Sequence, residues 1–149
     1  MAPIRRRQSE RGAELIEFAL VFPLLLLVTL GIIDFGFLFQ RYEVLTNAAR
    51  EGARVSVLPG YNSVDITARV NQYLQATSLS SATVTTVVGA TQTLALGGSC
   101  VSVVPVTVSY VHTYTFVGGI IQYFNGSLGS KTLSATASMR KEMAAAPCP

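Results

Sequence analysis

This chain is short of charge. Asp, Glu, Lys and Arg make up 13% of its 149 residues, about half the usual share for a soluble domain. It is also short of the residues that carry most chemistry. There is one histidine, His112, and there are two cysteines, Cys100 and Cys148, which form no CxxC pair. A metal centre needs several clustered ligands, and these three scattered residues do not offer one. No nucleophile-elbow motif accompanies the serines. Gly97-Gly98-Ser99 lacks the lysine of a phosphate loop. No catalytic residue, metal or cofactor is therefore expected, and His112 reads as an ordinary strand residue. No internal repeat is present.

What charge there is sits unevenly. The first twelve residues hold Arg5, Arg6, Arg7 and Arg11 against Glu10, which accounts for the whole net charge of +3. The remainder is balanced, so the pI of about 9.1 belongs to the N-terminal segment. A nucleic-acid-binding protein would carry its basic patch on the folded body, so no nucleic-acid partner is expected. The arginines instead keep the N-terminus cytoplasmic by the positive-inside rule.

Half of the residues are hydrophobic, and the excess is concentrated near the N-terminus. Residues 18–39 are almost wholly apolar, interrupted only by Thr29 and Asp34. About 20 such residues cross a bilayer core as a helix. The small-residue cleavage site that would follow a secretory signal is not apparent, so the helix is expected to stay in the mature chain. Pro23 removes one helical hydrogen bond and should bend the helix there. Asp34, near the outer end, is expected to reach interfacial water, with a functional buried charge as the alternative. Glu17 is the more pointed feature, because an acidic side chain at a membrane edge costs several kcal/mol unless something compensates it. Its bland reading is a carboxylate resting among headgroups.

Past the membrane the helical pattern continues. Val44, Leu45, Ala48, Ala49, Gly52 and Val55 form one face, with Arg41, Glu43, Arg50, Glu51 and Arg54 largely on the other. The small residues Ala48, Ala49, Gly52 and Ala53 would let another element approach closely. Residues 13–57 thus read as one helix of about 65–70 Å. After a Pro59-Gly60 turn, Ser63 is expected to cap a second helix to about Ala76, with Asp65 near its positive end and Ile66, Val70, Tyr73 and Leu74 facing inward. Ala82–Val88 and Val101–Phe116 have strand composition, and Pro105 should bend or interrupt the second run. Gly97-Gly98 and Gly118-Gly119 punctuate, and Asn125-Gly126 favours a turn. Lys131–Lys141 alternates like a final strand. The C-terminal Pro-Cys-Pro tail should have no regular element. The expected fold is α+β: a long N-terminal transmembrane and amphipathic helix, a short second helix and a small antiparallel sheet.

Both cysteines fall downstream of the apolar run, where a disulfide forms and persists. Joining Cys100 to Cys148 would close a loop of about 50 residues, worth about 4 kcal/mol in the chain-entropy model. The extramembrane part has only about 90 residues, and a staple would support so small a core. Two unpaired thiols are the alternative.

The pattern of Gly12, then Glu17 and Phe18, then an apolar helix resembles the processing site of type IV prepilins. The string Arg11-Gly12-Ala13-Glu14-Leu15-Ile16-Glu17-Phe18-Ala19 is closer to the TadE-like family, the minor pilins or pseudopilins of the tight-adherence (Tad) pilus. The resemblance continues through Pro23-Leu24-Leu25-Leu26, Gly31-Ile32-Ile33-Asp34-Phe35-Gly36 and Asn47-Ala48-Ala49-Arg50-Glu51-Gly52-Ala53-Arg54. It implies a leader at residues 1–12, a transmembrane and assembly helix at 13–57, and an extracytoplasmic α+β domain at 60–149. It implies cleavage between Gly12 and Ala13 by a prepilin peptidase of the bacterial inner membrane. In related pilins the position of Glu17 pairs with the new terminal amine of a neighbouring subunit, here Ala13. The implied partners are other minor pilins, the major pilin and the inner-membrane assembly platform. The competing reading is a permanently anchored single-pass protein with an extracytoplasmic binding domain, which would stay uncut and would not need Glu17. A membrane-bound hydrolase, the third class, has no convincing site.

Overall fold

The computed structural model describes residues 6–77, 79, 83–96, 99–123, 125–126, 130–141 and 146–147. Among them the fold is α+β, with helices α1 (Arg6–Ser56), α2 (Ser63–Ala76) and α3 (Phe116–Tyr123). Five strands make one antiparallel sheet: β1 (Val84–Val88), β2 (Gln92–Leu96), β3 (Ser99–His112), β4 (Lys131–Arg140) and β5 (Ala146–Pro147). The chain divides into two compact units.

The larger unit holds residues 38–113 and 130–149. Its core is written in two helical stripes and one strand alternation. Leu45, Ala48, Ala49, Ala53 and Ser56 recur at three- and four-residue spacing and are buried on α1. Ile66, Val70 and Leu74 do the same on α2. Val104, Val106 and Val108 of β3, with Leu133 and Ala135 of β4, point inward at every second position. The small residues of α1 permit the close approach expected of them. A Cβ placed on Gly52 would lie 2.7 Å from Val70 Cγ2 and 3.0 Å from Val106 Cγ1. A Gly52→Ala chain is expected to lose about 1–3 kcal/mol to overpacking, offset in part by about 1 kcal/mol of helix propensity. A lower denaturation midpoint in detergent would show this. An unchanged midpoint would mean that the two valines simply move aside.

The second helix begins as its chemistry dictates, one residue earlier than expected. Asn62, not Ser63, is the cap. Its Oδ1 accepts from the N–H groups of Val64 and Asp65 at 2.8 and 3.2 Å, while Asp65 Oδ2 accepts from the Asn62 N–H at 3.0 Å. Arg69 of α2 reaches Glu51 of α1 at 3.2 Å. Both ends of that pair are solvated, so it contributes under about 1 kcal/mol.

The sheet is organised around β3, whose Val103 pairs with β2 on one side and β4 on the other. Because β4 also spans the residues that face β1, β1 and β2 share the opposite edge. They behave as one strand with an extra residue: β1 ends at Val88↔Val106 and β2 resumes at Gln92↔Val103, so residues 89–91 face 104–105. This is a β-bulge, and it explains why Pro105 does not interrupt β3 as expected. The Pro105 carbonyl accepts from the Gly89 N–H at 2.8 Å. The missing proline N–H therefore points to the same bulged edge, where the ladder is already broken. A Cβ on Gly89 would lie 2.7 Å from Pro105 Cγ, so the bulge requires glycine there.

Three further expectations need correction. The run Val101–Phe116 is not all strand, since β3 ends at His112 and Phe116 opens α3. The tail is not wholly irregular, because Ala146 and Pro147 pair with Cys100 and Ser99. Residues 89–97 are not expected to form a strand, yet Gln92–Leu96 forms β2.

The smaller unit holds residues 1–37 and 114–129. In it Asp34 does not reach water. It is 2% exposed and its carboxylate accepts three backbone hydrogen bonds from the start of α3. Thr115 N–H donates to Oδ1 at 3.2 Å, and Phe116 and Val117 N–H groups donate to Oδ2 at 2.9 and 2.7 Å. The first turn of a helix leaves such donors orphaned and carries a partial positive charge. An acceptor from a distant part of the chain satisfies them here. At the other end, Asn125 takes φ 59°. Its N–H donates to the Gln122 carbonyl and that of Gly126 to the Ile121 carbonyl, at 3.1 and 2.9 Å. That pair of bonds is the Schellman motif, so Asn125-Gly126 closes a helix rather than turning a hairpin.

Candidate processing and assembly site

The residues singled out in the sequence fall in the first turns of α1. Gly12 through Leu20 are helical and every one of them is exposed. Glycine costs a helix interior about 1 kcal/mol relative to alanine. At Gly52 close packing accounts for that cost; at Gly12 it does not. Among the described residues, nothing lies within 4 Å of a Cβ added to Gly12. The fold of this chain therefore gives no reason for glycine at that position.

Glu17 lies on the same exposed stretch. Among the described residues its carboxylate makes no hydrogen bond and no ion pair. Phe18, 60% exposed, leans on Phe22 with ring centroids 5.3 Å apart. The next turns present Leu24, Leu25, Leu26, Leu27 and Val28 outward. From Gly12 the helix is long and apolar enough to cross a membrane, and its most hydrophobic window has none of its residues buried. A continuous apolar surface of this kind needs lipid or other chains around it. Within such surroundings, Glu17 is an acid that meets no base among the described residues.

Arg5 lies outside the described residues. Arg6, Arg7 and Arg11 are within α1. The helix continues unbroken through Pro23, and the hydroxyl of Thr29 donates to the Leu25 carbonyl at 2.8 Å. Cys100 is disulfide-bonded, and Cys148 lies outside the described residues. His112 is buried in β3 near Tyr110. No group of three or more His, Cys, Asp or Glu side chains that could hold a metal exists among the described residues.

Asp34, expected at interfacial water, is instead the acceptor for the first turn of α3. A signal was present: Asn125-Gly126 after a short apolar stretch marks a helix end as readily as a hairpin. A helix there needs a cap for its other end.

Residues 12–54 match the family model described as TadE-like protein. No curated protein and no solved structure matches the chain significantly. The matched residues open at Gly12, take in Glu17 and the apolar turns, and close on the small-residue stripe that packs under α2. Over that length, a little under a third of the chain, it is similar to the TadE-like proteins.

Proposed function

We propose that this protein is a minor pilin, or pseudopilin, of a bacterial Tad-type pilus, matured by a prepilin peptidase that cuts between Gly12 and Ala13. The observation that carries the reading is the pairing of Gly12 and Glu17. One is a helical glycine with nothing packed against it among the described residues, and the other, five residues later, is an acid without a partner among them. A peptidase needs close approach to the scissile backbone, which a side chain at Gly12 would obstruct. An assembling subunit needs an opposite charge for its buried acid, and cleavage creates one in the Ala13 amine. Cleavage also removes the arginine-rich leader, whose charge holds the N-terminus in the cytoplasm.

In this reading α1 first anchors the chain in the inner membrane, with residues 60–149 on the periplasmic side. It then packs against other minor pilins, the major pilin and the assembly platform, in service of pilus initiation and surface adhesion. Cys100 pairs with Cys148 on the oxidising side. The pairing is supported by the β3–β5 register, which sets Cys100 opposite Ala146, two residues from Cys148.

The test is the N-terminal residue of the membrane-fraction protein, with and without a co-expressed prepilin peptidase. An Ala13 start that appears only with the peptidase is expected. An intact leader in both cases, beside a control substrate that is cut, would leave a permanently anchored single-pass protein instead.

A further inference from the structure

The smaller unit contains an arrangement that pilus assembly does not call for. Helix α3 reads Phe116-Val117-Gly118-Gly119-Ile120-Ile121-Gln122-Tyr123, and none of its residues is buried. Phe116 is 40% exposed and Tyr123 87%. The sequence has no Asp, Glu, Lys or Arg between Arg69 and Lys131, so this exposed apolar surface has no charged neighbour along the chain.

Its position on α1 is what gives that surface a meaning. Val117 Cγ2 lies 3.9 Å from where a Cβ on Gly31 would sit. The ring of Tyr114 meets that of Phe35 edge-on at 6.4 Å. Gly31 and Phe35 belong to the apolar run, and after Asp34 the next charged side chain of α1 is Arg41. At 1.5 Å per residue, Gly31 is about 15 Å short of that charge. Ile32, Ile33, Phe35 and Phe37 all remain exposed on α1 beside it. A bilayer that covers these side chains has to cover α3 as well.

The backbone of α3 is prepared for such surroundings. Hydrocarbon supplies no hydrogen bonds, so every polar backbone group there must be satisfied by the protein. The N-terminal donors meet the Asp34 carboxylate, and two C-terminal carbonyls are taken by the Asn125 and Gly126 N–H groups. Caps of this kind also close exposed helices such as α2, but in hydrocarbon they are obligatory.

We propose that α3 is a re-entrant element embedded in the same membrane that α1 spans, with lipid acyl chains covering its exposed face and Asp34 pinning it to α1. The proposal rests on α1 being a membrane span. It assigns Asp34 a positioning role within the membrane, distinct from the role of Glu17.

The chain contains no tryptophan, which makes the test clean. Single-tryptophan full-length chains, Phe116→Trp and Tyr123→Trp, are reconstituted in phosphatidylcholine vesicles with ordinary or brominated acyl chains. Phe22→Trp reports on the span, and Tyr61→Trp on the turn after α1. The brominated lipid is expected to quench Phe116→Trp as strongly as Phe22→Trp, with Tyr123→Trp also losing emission and Tyr61→Trp unchanged. Undiminished emission from Phe116→Trp and Tyr123→Trp, with Phe22→Trp quenched, would overturn the proposal and leave the span standing. Undiminished emission from Phe22→Trp as well would remove the span and the proposal together.

Discussion

A Glu17→Gln chain is expected to lose its leader normally and then fail to join assemblies. The substitution keeps the shape of the side chain and leaves Gly12 and Ala13 untouched, so processing has no reason to change. What it removes is the negative charge that the Ala13 amine of a neighbouring subunit would meet. Breaking one side of a buried ion pair costs about 3–5 kcal/mol, because the other charge is left without compensation. Each 1.4 kcal/mol is about a tenfold change in an equilibrium, so incorporation should fall by at least about a hundredfold. The Gln form would also sit more easily in lipid than the parent acid, which further favours the membrane over the assembly. The measurement is the fraction of mature protein that co-purifies with the sheared pilus or with other pilus subunits. Glu17→Asp, with the charge kept but drawn back by one methylene, should fall between the two. Assembly of the Gln form at the parent level would eliminate the ion pair as the organising contact.

Replacing Asp34 with alanine should release α3 while leaving the larger unit intact. The carboxylate accepts from three backbone N–H groups at 2.7–3.2 Å, and alanine accepts from none. Each buried donor left without a partner costs about 1–3 kcal/mol, so exchange of these amides should quicken by about tenfold or more. Hydrogen exchange in detergent would read this at Thr115, Phe116 and Val117. The amides of α2, whose cap is supplied by Asn62, should keep their protection. Asp34→Asn retains one acceptor oxygen and should lie between. Unchanged exchange at all three residues in the alanine form would show that α3 is held by its other contacts.

The contrast between Glu17 and Asp34 marks how far the sequence could be read. Glu17 stands out in the sequence because its anomaly is local: an acid at the head of an apolar run is unusual wherever the rest of the chain goes. Asp34 looks water-facing in the sequence because its partners lie 81 to 83 residues away, in a helix that the sequence disguises. Val-Thr-Tyr composition ran on from β3 into α3 without a break, and paired glycines at 118 and 119 argue against a helix on propensity alone. Short apolar runs carry no decisive period.

Elsewhere periodicity sufficed. The stripe from Leu45 to Ala53, the face of α2 and the alternation of Leu133 and Ala135 were each visible, because burial of one face imposes a repeat. Pro105 and the β1–β2 edge were not, because a bulge is a relation between two strands and leaves no repeat in either. The Asn62 cap was displaced by one residue from Ser63. Both side chains can accept the same bonds, and the choice depends on where the chain leaves the turn.

The central position of β3 also bears on the order in which the chain can fold. Among the described residues, every other strand pairs with β3 and none of them pairs with any other. Until β3 exists, β1 and β2 have nothing to hydrogen-bond to, and the inward face of α1 lacks its valine cover. Once it exists, β1 and β2 close onto it over short stretches of chain, a low entropic cost. On the other side β4 closes onto it over a stretch like that to β1, His112↔Lys131 against Val88↔Val106, whereas contact with α1 requires a longer closure. Assembly of the sheet is therefore gated by one segment, and the rate at which Ser99–His112 becomes available should set the pace for the whole unit.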